Sequence, residues 1–206
     1  VRAGAFTIDY EVTAGRFSSD DPQRDPERDP ERDPQRDPQR DVVLRARTLL
    51  APYDFDADRP RRLTDAEREG LSAFLEPGEP VRRARPTAEG PAWSEVPSVV
   101  RFSDVDVFGH VNNVAYVELF QEARIRTFSA LRDALPDDTP PLSVVVARTE
   151  LDYLRPVLFR AEPYAVRTRV AEVGRTSFVL VSELVDPEAP ADTAVMARAR
   201  VVVVGF

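Results

Sequence analysis

The stretch RFSDVDVFGHVNNVAYVELFQEAR, residues 101–124, decides the reading of this chain. It sets two carboxylates, Asp104 and Asp106, in a turn, follows them with Gly109, and then opens a helix at Asn112 or Asn113. Asparagine is a natural helix cap, and glycine lets a chain turn tightly and approach a ligand closely. The spacing therefore predicts Asp106 beside the unpaired amides of a helix amino terminus, where the macrodipole favours negative charge. An oxyanion forming on an attacked carbonyl would be stabilised in such a place.

Working outward, Val99 to Ser103 reads as a short strand before this turn, and the helix after it extends from about Asn113 to Arg132. Val117, Phe120, Ala123 and Phe128 recur at helical spacing, and Pro136 lies beyond the end. Apolar residues fall on more than one side, as expected of a helix wrapped by a sheet. Long strands follow at 142–153, 162–173, 176–186 and 193–205. In the second, Tyr164, Val166, Thr168 and Val170 alternate with Ala165, Arg167, Arg169 and Ala171. The order strand, helix, antiparallel strands predicts an α+β domain over 95–206, with the sheet curled around one long helix.

The amino-terminal part looks like a partial repeat of this domain. VRAGAFTIDYEV at 1–12 aligns with VGRTSFVLVSEL at 173–184, setting Phe6 on Phe178. DVVLRARTLLAPYDF at 41–55 aligns with DTAVMARARVVVVGF at 192–206, setting Arg47 on Arg198. The offset between copies changes from one match to the next by almost the length of the tract 21–40, which is a run of Asp-Pro-(Gln/Glu)-Arg units. We read that tract as an expansion in a hairpin turn, too charged and too rich in proline to fold. Thr64 and Glu67 form a capping box for a helix over 64–76, which Pro77 ends. Residues 77–94 read as a linker. Segment 1–76 is then the later half of a first copy, its strands leaning on the second copy or poorly ordered. The only methionine is Met196 and the chain opens with Val1, so we expect a fragment of a longer protein.

Composition narrows the chemistry. The 206 residues include no cysteine, which rules out thiol nucleophiles, disulfides and thiolate metal centres, and no metal site is expected. A net charge of −8 argues against nucleic acid, although a few arginines suffice for a small anion. No export leader, lipidation motif or apolar run of membrane-spanning length is evident, so a soluble cytoplasmic protein is the expectation.

The run Asp-Val-Asp-Val-Phe-Gly-His-Val-Asn-Asn, with Tyr116, Phe120, Glu122 and Arg124 behind it, resembles the signature loop and central helix of hotdog-fold thioesterases of the 4-hydroxybenzoyl-CoA thioesterase type. ELDYLRPV at 150–157 and VGRTSFVLVSELVD at 173–186 are similar to later strands of that family. The resemblance covers 95–206 and, through the repeat, 1–76. It implies a double hotdog that hydrolyses an acyl-CoA, with CoA entering only as part of the substrate and no other cofactor. It implies Asp106 as catalytic carboxylate, either nucleophile or general base, and the backbone amide of Asn113 as the group polarising the thioester carbonyl. His110 and Asn112 would shape the loop, and His110, the only histidine, is a further catalytic candidate. Gly109, Asn112, Tyr116, Arg155 and Arg175 are substrate-binding candidates, with core packing for Tyr116 and solvated surface for the two arginines as the plainer readings. Asp104 reads as structural.

Hotdog domains pair through their sheets, so an intrachain pair and a homo-oligomer are both expected. Three rivals stand beside acyl-CoA hydrolysis. One is the same reaction on acyl carrier protein, and another is a module that binds a thioester without cleaving it. The third is a hotdog dehydratase, which needs a histidine with an acid across the pair.

Overall fold

The computed structural model describes residues 5–13, 42–54, 57, 59–76, 94–139 and 143–205. It divides into two units, Val1–Arg82 and Arg83–Phe206.

In the first unit, β1 (Phe6–Thr13) and β2 (Val42–Leu50) form an antiparallel hairpin. Exposed cross-strand ion pairs link Arg45 to Glu11 and Arg47 to Asp9. The hairpin matches the expected topology but not the register of the proposed repeat. Phe178 pairs with Val203, which the alignment equates with Pro52, whereas Phe6 pairs with Leu50. A slip of two residues keeps every side chain on its face. Two short strands follow, β3 (Tyr53–Asp54) and β4 (Arg59–Pro60). Next comes α1 (Asp65–Ser72), with the Thr64–Glu67 capping box formed as expected. This helix stops at Ser72 rather than at residue 76, and none of its residues is buried. Tyr10, Val12, Val43, Leu44 and Leu49 are exposed, and Leu63 is the buried hydrophobic residue of the unit among those described. The Asp-Pro-(Gln/Glu)-Arg tract lies outside the described residues, as does the linker apart from its last residue.

In the second unit a five-stranded antiparallel sheet has the order β5-β7-β8-β9-β6. Its strands are β5 (Ser94–Ser98), β6 (Val144–Tyr153), β7 (Tyr164–Val173), β8 (Ser177–Val185) and β9 (Val195–Gly205). One helix, α2 (Asn113–Asp133), packs on β5 and β7. The first strand is thus 94–98, not 99–103, and residue 94 opens it rather than closing a linker. Pro97 is tolerated because β5 is an edge strand paired only with β7, where a missing N–H costs no ladder bond. The apolar run after it goes elsewhere: Val100 enters the core, while Phe102–Asp104 form a single 3₁₀ turn.

The α2 stripe facing the sheet is Tyr116, Phe120, Ala123 and Thr127, joined in the core by Val166, Leu184, Ala197 and Ala199. Contrary to the expectation of burial on several sides, Val117 is 47% exposed, and Val114, Ile125 and Leu131 are exposed as well. The sheet's inner face also holds a polar pair, Thr168 Oγ1 with Ser182 Oγ at 2.8 Å, whose mutual bond satisfies both buried hydroxyls. Alternation along β7 fails at the Val170/Glu172 irregularity, and both faces of its first half are buried, including Arg169.

Candidate active site

The turn between β5 and α2 is fixed from both ends. Val105 and Val111 bridge antiparallel, Asn112 N–H donates to Asp104 C=O at 2.8 Å, and Asp106 N–H donates to His110 C=O at 2.9 Å. Gly109 N–H closes the turn on Asp106 C=O at 3.1 Å. Gly109 has φ +79, while a Cβ there would meet nothing within 4 Å, so glycine is required by the backbone and not by space. Backbone bridging of His110 to Leu158 and donation from Val111 N–H to Val157 C=O at 2.8 Å pin the turn to the segment after β6.

Asp104, only 5% exposed, is the structural carboxylate. It accepts from the Arg101 backbone N–H at 2.8 Å and from the Arg101 guanidinium at 2.9–3.2 Å. Burial alone would raise its pKa, but the hydrogen bonds and charge of Arg101 outweigh it and hold the carboxyl below the ordinary aspartate value.

Asp106 is half-buried, and its Oδ1 accepts from Phe108 N–H at 2.9 Å, so the carboxylate braces its own turn. The helix itself is capped by Asn112, whose Oδ1 accepts from Val114 N–H at 3.0 Å and whose C=O accepts from Ala115 N–H at 2.9 Å. This is the asparagine cap that the sequence predicts, at Asn112. Among the described residues, the Asn113 N–H makes no hydrogen bond, and Asn113 C=O accepts from Tyr153 Oη at 3.3 Å.

Tyr116 is core, 3% exposed, and its hydroxyl accepts from Val157 N–H at 3.1 Å. Burial pushes its pKa up to about 12, and the charge of Asp106 adds a smaller push in the same direction, so that carboxylate lies within electrostatic reach of the hydroxyl. Tyr153 meets the Tyr116 ring edge-on at 5.0 Å. Sequence reasoning misses this second tyrosine, because its partners lie some forty positions away in the chain. Around the turn, Val107 (94% exposed), Phe108, Phe102 and Phe159 form an apolar rim, with Phe102 and Phe159 edge-on at 5.8 Å.

The two candidate arginines do not converge on this turn. Arg155 donates to Val195 C=O at 3.0 Å and to Asp192 C=O at 3.3 Å, tying the chain after β6 to the start of β9. Arg175 is exposed in the β7–β8 connection, at the opposite end of β7 from Tyr164, roughly 30 Å along the strand.

One buried carboxylate locks the turn, a second is held half-buried beside it, and the capped helix opens with an amide that has no hydrogen-bond partner among the described residues. Residues 100–206 match the profile of the Thioesterase-like superfamily, and the chain belongs to that family. It is 37% identical over 81 residues to the uncharacterized protein YsmA of Bacillus subtilis, a match covering 39% of this chain and 53% of that protein. The chain therefore spans about half the length of that curated relative. Among solved structures it is similar to a putative acyl-CoA thioesterase from Xanthomonas campestris, at 30% identity, 56% of this chain, 93% of that one and a TM-score of 0.47. A Thermus thermophilus thioesterase complexed with coenzyme A and Zn is 32% identical over 54% of this chain and 78% of its own, with a TM-score of 0.43.

Proposed function

We propose that this chain hydrolyses an acyl-CoA to the free acid and CoA, with Asp106 as the reacting carboxylate. The observation that carries the reading is one turn that braces the half-buried Asp106 through Phe108 N–H and runs, by backbone bonds from Asp106, Gly109, Val111 and Asn112, to an Asn113 amide that has no hydrogen-bond partner among the described residues. Asn113 N–H donates to the thioester oxygen as it becomes an oxyanion. Asp106 then acts in one of two ways. As nucleophile it attacks the carbonyl carbon, the C–S bond breaks with the electron pair leaving on sulfur, and water hydrolyses the resulting anhydride. As general base it takes a proton from the water that attacks instead. His110 contributes through its backbone, which shapes the turn. The apolar rim of Phe102, Phe108 and Phe159 favours an acyl group over a polar substrate. Pairing of the sheet with another hotdog domain, in this chain or a second copy, belongs to the same reading.

The test is thiol release from acyl-CoA by wild type and by Asp106→Asn. Turnover should fall on the order of 10²-fold or more, with the urea midpoint unchanged. Unchanged turnover removes Asp106 from the mechanism. The same acyl chain presented on acyl carrier protein separates the two carriers. An acyl-CoA that binds wild type and remains intact would make the protein a binding module. Single-turnover reaction in ¹⁸O-water, with mass analysis of the Asp106 peptide, separates nucleophile from base.

A further inference from the structure

The most extensive strand contacts of α2 are with β5 and β7, and toward the β6 edge the packing of helix on sheet is looser. A groove of about 230 Å³ runs there between α2 and strands β9 and β6. Val117, Phe120, Val146, Leu151 and Val201 line it, and its single charged wall residue is Arg124. The groove starts one helical turn from Asn113, at Val117. Arg124 lies eleven residues along α2, roughly 16 Å from the candidate oxyanion amide, and helical side chains lean back toward the amino terminus.

Arg124 is half-buried, and among the described residues its guanidinium makes no hydrogen bond or ion pair. The helix offers it no local partner, since positions three and four residues away are Phe120, Gln121, Thr127 and Phe128. Across the groove the nearby acid, Glu150, is on the other face of β6, paired with Arg148 and near Arg200. Burial lowers the Arg124 pKa, with no opposing carboxylate to raise it. A desolvated guanidinium on an apolar wall is unfavourable unless something anionic meets it.

We propose that this groove receives the acyl part of the substrate and that Arg124 binds a carboxylate at its far end, making ω-carboxyacyl thioesters the preferred substrate class. The inference rests on the thioesterase reading above. The apolar wall holds the methylene chain, and the guanidinium fork matches a terminal carboxylate bidentately. A nucleotide or phosphate is a poorer fit, because one cation with the neutral Gln121 and Thr149 in an otherwise apolar lining cannot replace the hydration of a polyanion.

The test compares octanoyl-CoA with the mono-CoA thioester of octanedioic acid, in wild type, Arg124→Leu and Arg124→Lys. Wild type should prefer the ω-carboxy substrate in kcat/KM. Arg124→Leu should lower that preference, read as the ratio of kcat/KM for the two substrates, on the order of 10–100-fold, and Arg124→Lys should retain part of it. Calorimetric binding of both intact thioesters to Asp106→Asn, with and without Arg124→Leu, separates the two levels of the argument. Hydrolysis of both substrates at a ratio indifferent to residue 124 overturns this inference and leaves the thioesterase reading standing. Binding selectivity that depends on Arg124, without hydrolysis by wild type, does the reverse. Neither hydrolysis nor Arg124-dependent binding overturns both.

Discussion

Replacing Tyr116 by Phe removes one hydroxyl and nothing else, which makes it a sharp test of how the turn is held. That hydroxyl accepts the N–H of Val157, a residue with no exposed surface. Without it the amide is stranded where water cannot reach, a loss of roughly 1–3 kcal/mol. The ring packing against Tyr153 survives, so the whole cost belongs to the hydrogen bond. Urea unfolding at pH 7 should show wild type more stable by about 2 kcal/mol at equal m-value. The alkaline limb should change too. Burial raises the Tyr116 pKa above its unfolded value of about 10 to about 12, so this residue's stabilisation is complete below pH 10 and is lost as pH rises toward 12. The phenylalanine variant lacks that step and should lose less stability across this window, keeping only the fall due to other groups such as Tyr153, whose pKa burial also raises. A destabilisation under about 0.5 kcal/mol, or an alkaline limb as steep as wild type, would refute the reasoning.

Further outcomes follow from the same geometry. Gly109→Ala should cost about 1–2 kcal/mol from the positive φ alone, with Gly109→Asn milder, as read from urea midpoints. Asp104→Ala should destabilise by about 1–2 kcal/mol, chiefly through the lost acceptor for the Arg101 backbone N–H, since the exposed Arg101 guanidinium can rehydrate. Because Asp104 titrates below its unfolded value, its contribution is complete above about pH 4 and is lost as pH falls further, so the Asp104→Ala variant should show a shallower acid limb. Leu184→Ala, in the middle of the core with no exposed surface, should cost about 2–5 kcal/mol in the same assay.

Long periodic segments were legible from the sequence. The helix expected over 113–132 is Asn113–Asp133, and each of the last four strands falls within two residues of its expected ends. The short elements were not. Pro97 and the charge on Glu95 hide an edge strand, while Val99, Val100 and Phe102 imitate one, because local composition cannot tell an edge from a turn. The turn itself was read in part. Gly109, the Asn112 cap and the structural role of Asp104 follow from local chemistry, which operates over two or three residues. Arg155, Tyr153 and Arg124 depend on what lies far away in the chain or across the sheet, and periodicity carries no such information. The apolar residues expected on more than one side of α2 are not all buried, because one stripe of the helix packs on the sheet while Val114, Val117, Ile125 and Leu131 stay exposed.

The choice of asparagine at position 112 has a cost and a use. An aspartate there would neutralise the positive pole of α2 and add roughly 0.3–1 kcal/mol to stability. The first turn of the helix also contains no acidic residue. On the proposed thioesterase reading, the amides at this helix end meet no acidic side chain of their own first turn and are left to the oxyanion of the reaction. Mutations that make the folded chain more robust at this spot, such as Asn112→Asp or Val114→Glu, are the ones that should slow the reaction, setting durability and rate in opposition at a single helix end.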